Sequence, residues 1–150
     1  MKETARNITV NRKARHDYHI ISSLEAGIVL VGTEVKSCRQ NKVSLVDCYA
    51  SIERGEVWLI GAHISAYKEG NRFNHDPMRN RKLLLSKREI RKLDRAVKEK
   101  GNTLIPLRLY FNKGKVKVEL AVAKGKKSYD KRESIARKDM ERDAERKIKL

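Results

Sequence analysis

Residues 105–122 repeat apolar side chains with a period of two. Ile105, Leu107, Leu109 and Phe111 alternate with Pro106, Arg108 and Tyr110, then Val116, Val118, Leu120 and Val122 alternate with Lys115, Lys117, Glu119 and Ala121. Successive side chains of a strand point to opposite faces, so the pattern predicts a hairpin turning at Asn112-Lys113-Gly114, with one core face and one partly cationic face. Pro106 cannot donate to a ladder, which predicts a strand start or a sheet edge there. Upstream, the apolar pieces 18–21, 28–31, 48–52 and 57–64 are short and rich in Val, Ile, Leu and aromatics. Glu25-Ala26-Gly27 and Glu53-Arg54-Gly55-Glu56 read as the turns between them, giving a small antiparallel sheet.

Two stretches carry helical spacing instead. Thr33 can cap a short helix over 33–39, with Val35 and Cys38 on one face and Lys36 and Arg39 pointing elsewhere. Ser86 with Glu89 three residues on forms a capping box for a helix over 87–100, with Ile90, Leu93 and Val97 as its apolar stripe and Gly101 as its stop. Leu83-Leu84-Leu85 precedes it as an apolar anchor. From 75 to 100 there are ten Lys or Arg and four Asp or Glu, so the polar face is a basic strip.

The pattern fades after residue 123. The last 27 residues hold only Ile135, Ile148 and Leu150 as aliphatic positions, with eleven Lys or Arg against six Asp or Glu. So little apolar surface cannot offset the ordering entropy, which predicts a body over 1–123 and a tail over 124–150 that is disordered when free. Asp130 with Glu133, and the pairs Glu133/Arg137, Asp143/Lys147 and Glu145/Lys149, nevertheless favour a helix on a partner.

Charge sets the class of partner. The 150 residues include 36 Lys and Arg against 19 Asp and Glu, a net charge of +17, which points to a polyanion. Aromatics make up 5%, too few for stacking on successive bases to dominate, so a folded RNA recognised by shape and phosphate is expected. A small OB-like antiparallel barrel with flanking helices suits that task. Its strand and loop cations include Arg12, Lys13, Arg15, Lys36, Arg39, Arg79, Arg81, Lys82, Lys115 and Lys117. No apolar run approaches the roughly 18 residues of a membrane span, and the first residues lack a signal peptide's apolar stretch, so a cytoplasmic protein with no membrane partner is expected.

Catalytic chemistry is not legible. Cys38 and Cys48 have no CxxC partner or neighbouring His and read as reduced thiols, with no metal and no cofactor expected. Cys48 with His63 reads by default as a buried thiol and a strand histidine, and His75-Asp76-Pro77 as a turn. GxxxxGK[ST] and GxGxxG are both missing. Lys124-Gly125-Lys126-Lys127 is too short for a P-loop and suits contact with backbone phosphate. A small ribosomal or rRNA-assembly protein would share the charge and the tail. An RNA-processing enzyme would need a catalytic cluster.

Several segments together resemble the SsrA-binding protein (SmpB) family. They are Asn11-Arg12-Lys13-Ala14-Arg15-His16-Asp17-Tyr18, Glu25-Ala26-Gly27-Ile28, Gly32-Thr33-Glu34-Val35-Lys36-Ser37, Asp76-Pro77 through Arg81-Lys82-Leu83-Leu84-Leu85, and Lys124-Gly125-Lys126-Lys127 through Asp130-Lys131-Arg132. The resemblance implies an RNA-binding adaptor, not an enzyme, that carries transfer-messenger RNA to stalled ribosomes in trans-translation. It assigns Asn11, Glu25 and Leu84 to the tRNA-like domain and Lys124, Lys126 and Lys127 to a basic hinge. Asp130, Lys131 and Arg132, with Tyr129 and Ile135 beside them, fall to a tail that enters the empty mRNA channel against 16S rRNA. Tyr129 stands where some members have His, which keeps stacking and removes a proton-linked contact. Elongation factor Tu and alanyl-tRNA synthetase are implied as indirect partners, and the protein as a monomer.

Overall fold

The computed structural model describes residues 6–126. In chain order these form β1 (Arg6–Val10), α1 (Ala14–Asp17), β2 (Tyr18–Ile28), α2 (Gly32–Arg39), β3 (Val43–Ser44), β4 (Tyr49–Glu53), β5 (Glu56–Ile60) and β6 (His63–Ile64). A 3-10 turn at Lys68–Phe73 then leads to β7 (Arg81–Leu84), α3 (Lys87–Val97), β8 (Asn102–Asn112) and β9 (Lys115–Gly125). The protein is mainly β. Seven strands form one antiparallel sheet in the order β1-β8-β4-β5-β7-β2-β9, in which β9 pairs again with β8, while β3 and β6 form a separate pair.

The hairpin follows the predicted turn. Lys113 (φ 53°) and Gly114 (φ 74°) both occupy the left-handed region, as a two-residue type I′ turn requires. Its alternation, however, breaks at a register shift between Pro106 and Arg108. One extra residue exchanges the faces of everything beyond it. Leu104 and Leu109 therefore enter the main core with Val118, Leu120, Leu59 and Leu83, whereas Ile105 and Leu107 join Ala14, Ala121 and Ala123 in a second cluster under α1. Pro106 lies inside β8, neither at a strand start nor at the sheet's outer edge. It sits where one side of β8 passes from β4, paired at Leu104, to β1, paired from Arg108 onward. A missing N–H is harmless in that gap.

Three other expectations change. Glu25-Ala26-Gly27 is no turn but lies within the last part of the eleven-residue β2, paired with Glu119, Val118 and Lys117. Val31, not Thr33, occupies the N-cap of α2, and its N–H donates to Glu34 Oε1 at 2.9 Å. The 87–100 helix closes at Val97, although the Ser86/Glu89 capping box is present as expected.

A buried ion cluster replaces part of the expected basic surface. Arg81 is fully buried and donates to Glu34 Oε2 at 2.6 Å, to the Ala62 carbonyl at 2.6 Å and to the Pro77 carbonyl at 3.1 Å. Arg79 donates to Glu34 Oε1 at 2.5 Å. Arg81 is thus a structural residue and not a surface cation. His75 bridges Thr33 and the Ile64 carbonyl at 2.8 Å each, and Asp76 Oδ1 accepts from the Met78 N–H, so this segment is the structural turn expected.

Both cysteines are free and buried. Burial pushes the Cys38 thiol up to about 11 and that of Cys48 up to about 12. His63 is exposed on β6 while Cys48 is buried, in keeping with a buried thiol and a strand histidine. Native protein at pH 8 should therefore alkylate with iodoacetamide more than about 100-fold slower than protein in urea, because the thiolate is the nucleophile. Equal rates followed by mass spectrometry would contradict the burial.

Candidate nucleic-acid interface

The face of β9 opposite the main core presents Lys117 and Glu119 and then passes under α1 at Ala121 and Ala123. Glu25 of β2 lies opposite Glu119 in the ladder, and Arg108 of β8 lies opposite it on the other side. Two carboxylates side by side would repel. Arg108 prevents this by donating to Glu119 Oε2 at 3.0 Å, and it also donates to Asn7 Oδ1 at 2.7 Å. Its guanidinium lies 4.1 Å from the centre of the Tyr110 ring. Tyr110 in turn donates its hydroxyl proton to Glu25 Oε2 at 2.5 Å, and Asn112 Nδ2 donates to the same oxygen at 3.3 Å. The Tyr110 bond holds the Glu25 carboxyl below the usual carboxylate range against the opposing effect of burial, with help from Asn112, Lys117 and Arg108. The result is an exposed, ionised acceptor within a cationic protein.

Leu84 stands beside it. Gly27 pairs with Leu84 across β2 and β7, and a Cβ at Gly27 would lie 3.1 Å from Leu84 Cβ, so glycine makes room for this leucine. Leu84 is 53% exposed, costly for a large apolar side chain unless something covers it. It lines a shallow groove of about 340 Å³ with Ile28, Leu30, Val35, Lys115 and Lys117. An apolar floor with lysines alongside suits the sugar and base edges of a nucleic acid flanked by its phosphates.

Asn11 continues β1 into the gap beside Pro106. Its N–H donates to the Leu107 carbonyl at 2.8 Å and its Nδ2 to the Pro106 carbonyl at 3.0 Å, which leaves Oδ1 as the side chain's acceptor. Asn11 and Lys13 also border a cleft of about 640 Å³ with Val10, Val46 and Tyr49. Lys13 and Arg15 are exposed on or beside α1. Lys126 joins them at this end of the sheet, donating from Nζ to the Arg15 carbonyl at 3.0 Å and from its N–H to the Asp17 carbonyl at 2.8 Å. Lys124 of β9 pairs with His19 of β2 and packs its stem beside Gly101.

The structure thus brings Glu25 and Leu84 together, and gathers Asn11, Lys13, Arg15, Lys124 and Lys126 toward α1. Lys36 and Arg39 belong to a different element. Helix α2 packs on β6, the Lys36 ammonium lies 5.4 Å from the Tyr67 ring centre, and the Arg39 carbonyl accepts from Arg6. Lys127, Tyr129, Asp130, Lys131, Arg132 and Ile135 lie outside the described residues. Tyr110, Asn112 and Asn7 escaped the sequence reading. Arg108 opposite Glu119 was legible, because counting back from a two-residue turn at Lys113-Gly114 pairs them.

A family model described as SmpB protein matches residues 8–150. The chain belongs to the SmpB family. It is 58% identical to the SsrA-binding protein of Acetivibrio thermocellus over 99% of this chain and 96% of the relative. It is 53% identical to that of Levilactobacillus brevis over 99% of this chain and 95% of the relative. Among solved structures it is similar to a chain in "tmRNA-SmpB: a journey to the center of the bacterial ribosome", with a TM-score of 0.68 and 50% identity over 80% of this chain and 85% of that one. Among the described residues, no group of His, Cys, Asp and Glu is placed to hold a metal, and no helix is long and apolar enough to cross a membrane.

Proposed function

We propose that this protein is an RNA-binding adaptor of trans-translation. It binds the tRNA-like domain of transfer-messenger RNA and delivers it to stalled ribosomes, with the 124–150 tail placed in the empty mRNA channel. The observation that carries the reading is the match to SsrA-binding proteins along nearly the whole chain, together with the likeness to a family member on a bacterial ribosome. The geometry supports it. An ionised acceptor at Glu25 suits the amino and 2′-hydroxyl donors of a folded RNA, which phosphate cannot supply, while the surrounding lysines take the phosphates.

The ladder ring through β8, β4, β5, β7, β2 and β9 supports an OB-like barrel, with α3 between β7 and β8 as a plug carrying Leu93 into the core. The reading is of a cytoplasmic monomer and a binding protein rather than an enzyme, a view supported by its buried, protonated thiols. Elongation factor Tu and alanyl-tRNA synthetase are its indirect partners through the RNA.

The test is binding to the isolated tRNA-like domain across a salt series. Neutralising about six phosphates gives a slope of about −4 to −5 in log K against log salt, and unfolded single strands of equal length should compete poorly. A flat titration would reject the reading. Glu25→Lys should weaken binding despite its added positive charge, because an acceptor becomes a donor without a partner.

A further inference from the structure

We propose that Tyr110 is a positioning residue for RNA recognition, its hydroxyl fixing Glu25 so that Oε2 faces the protein and Oε1 is presented to the RNA. This deepens the proposed function and rests on it. A glutamate on an exposed strand position loses rotamer freedom when a partner captures it, and that loss weakens binding. Here the loss has been taken before any RNA arrives. Tyr110 and Asn112 both donate to Oε2, and among the described residues no hydrogen bond reaches Oε1.

The anchor is itself buried and held by contacts. Tyr110 is only 4% exposed, its ring lies against the Arg108 guanidinium, and Arg108 is held by Glu119 and Asn7. One chain of contacts therefore runs from β1 through β8 and β9 to the carboxylate on β2. Its hydroxyl also decides the chemistry of Glu25. The groups facing the carboxylate are Tyr110, Asn112 and Arg108 from β8, and Lys117 and Glu119 from β9. The Tyr110 bond is the largest influence favouring its charge, and burial opposes it. Without that proton donor only the longer Asn112 bond would hold the carboxyl group, which would turn more freely and titrate at a higher pH.

Tyr110→Phe removes the hydroxyl and keeps the ring under Arg108. In the full chain, its affinity for the tRNA-like domain at physiological salt should fall about 3- to 10-fold, the range set by one net hydrogen bond. The salt slope should not change, because no cation is lost. The carbon-13 signal of the Glu25 carboxyl group should titrate at higher pH than in the parent. In a Glu25→Ala background the same substitution should cost less than about twofold, since the group it positions is gone.

An equal loss in both backgrounds would overturn the proposal in favour of a general structural role, as would an unmoved Glu25 titration. The two readings fail differently. A parent protein that prefers the tRNA-like domain no more than an unrelated folded RNA overturns the proposed function. A selective parent with an unaffected Tyr110→Phe variant overturns the positioning alone.

Discussion

Glu34→Ala should destabilise the protein by about 3–5 kcal/mol, the usual cost of leaving a buried charge without its partner. Glu34 and Arg81 are both fully buried, and Arg79 closes on the second carboxylate oxygen. Removing the carboxylate strands Arg81 in the protein interior and also unpairs the Val31 N–H that starts α2. The thermal midpoint should fall by roughly 10–20 °C, read by circular dichroism. Glu34→Gln keeps an acceptor but not the charge, so it should lose nearly as much. Glu34→Leu with Arg81→Met should recover only part of the loss, because the Ala62 and Pro77 carbonyls then lack the donor that Arg81 supplied. A single Glu34→Ala variant melting within 3 °C of the parent would refute the buried pair.

The same cluster gives stability a pH dependence of definite sign. Burial works against ionisation of Glu34, yet Arg79, the Val31 N–H and Arg81 outweigh it and hold its carboxyl below the usual carboxylate range. A depressed folded value means that the carboxylate's contribution is complete above the ordinary carboxylate range. It is lost as pH falls from there through the depressed value. Glu34→Gln should flatten that part of the acid denaturation curve.

Local chemistry made much of this fold readable. The Ser86/Glu89 box, a turn within Asn112-Lys113-Gly114 and the apolar period of β9 are each encoded within a few neighbouring residues, and each appears as expected. The failures are non-local. Glu25-Ala26-Gly27 has turn composition, but its conformation is decided by pairing with residues 117–119, nearly a hundred positions away. The break at Pro106 leaves a hydrophobic run that looks the same with or without an extra residue, and only the β4-to-β1 gap requires one. Arg81 reads as one more cation among many, because nothing near it in the chain shows that Glu34 lies opposite. The interface divides likewise. The resemblance to the SmpB family supplied Asn11, Glu25 and Leu84, while Tyr110 depends on a contact spanning 85 residues.

Truncation after Tyr129 should abolish the ribosome-dependent function while leaving RNA binding intact. The described main core runs from Ile8 to Val122, and the Lys126 N–H ties the end of the body to the Asp17 carbonyl. Residues from Asp130 onward have only Ile135, Met140, Ile148 and Leu150 as large apolar side chains, so their loss should scarcely move the thermal midpoint or the affinity for the tRNA-like domain. On the proposed reading, the missing piece is a cationic segment that lies in an RNA-walled channel. Residues 131–150 span about 30 Å as a helix. Accommodation of the charged RNA and the first peptide transfer on a stalled ribosome should therefore fail. Two graded variants separate charge from conformation. Changing Lys131 and Arg132 to Glu should repel rRNA phosphate, whereas Ile135→Pro keeps every charge and breaks the helix. Peptide transfer on ribosomes whose mRNA ends in the decoding site, measured beside RNA binding in free solution, decides the matter. Full transfer by the truncated protein would remove the tail from the mechanism, and an equal loss of RNA binding would extend the RNA-binding body beyond Tyr129.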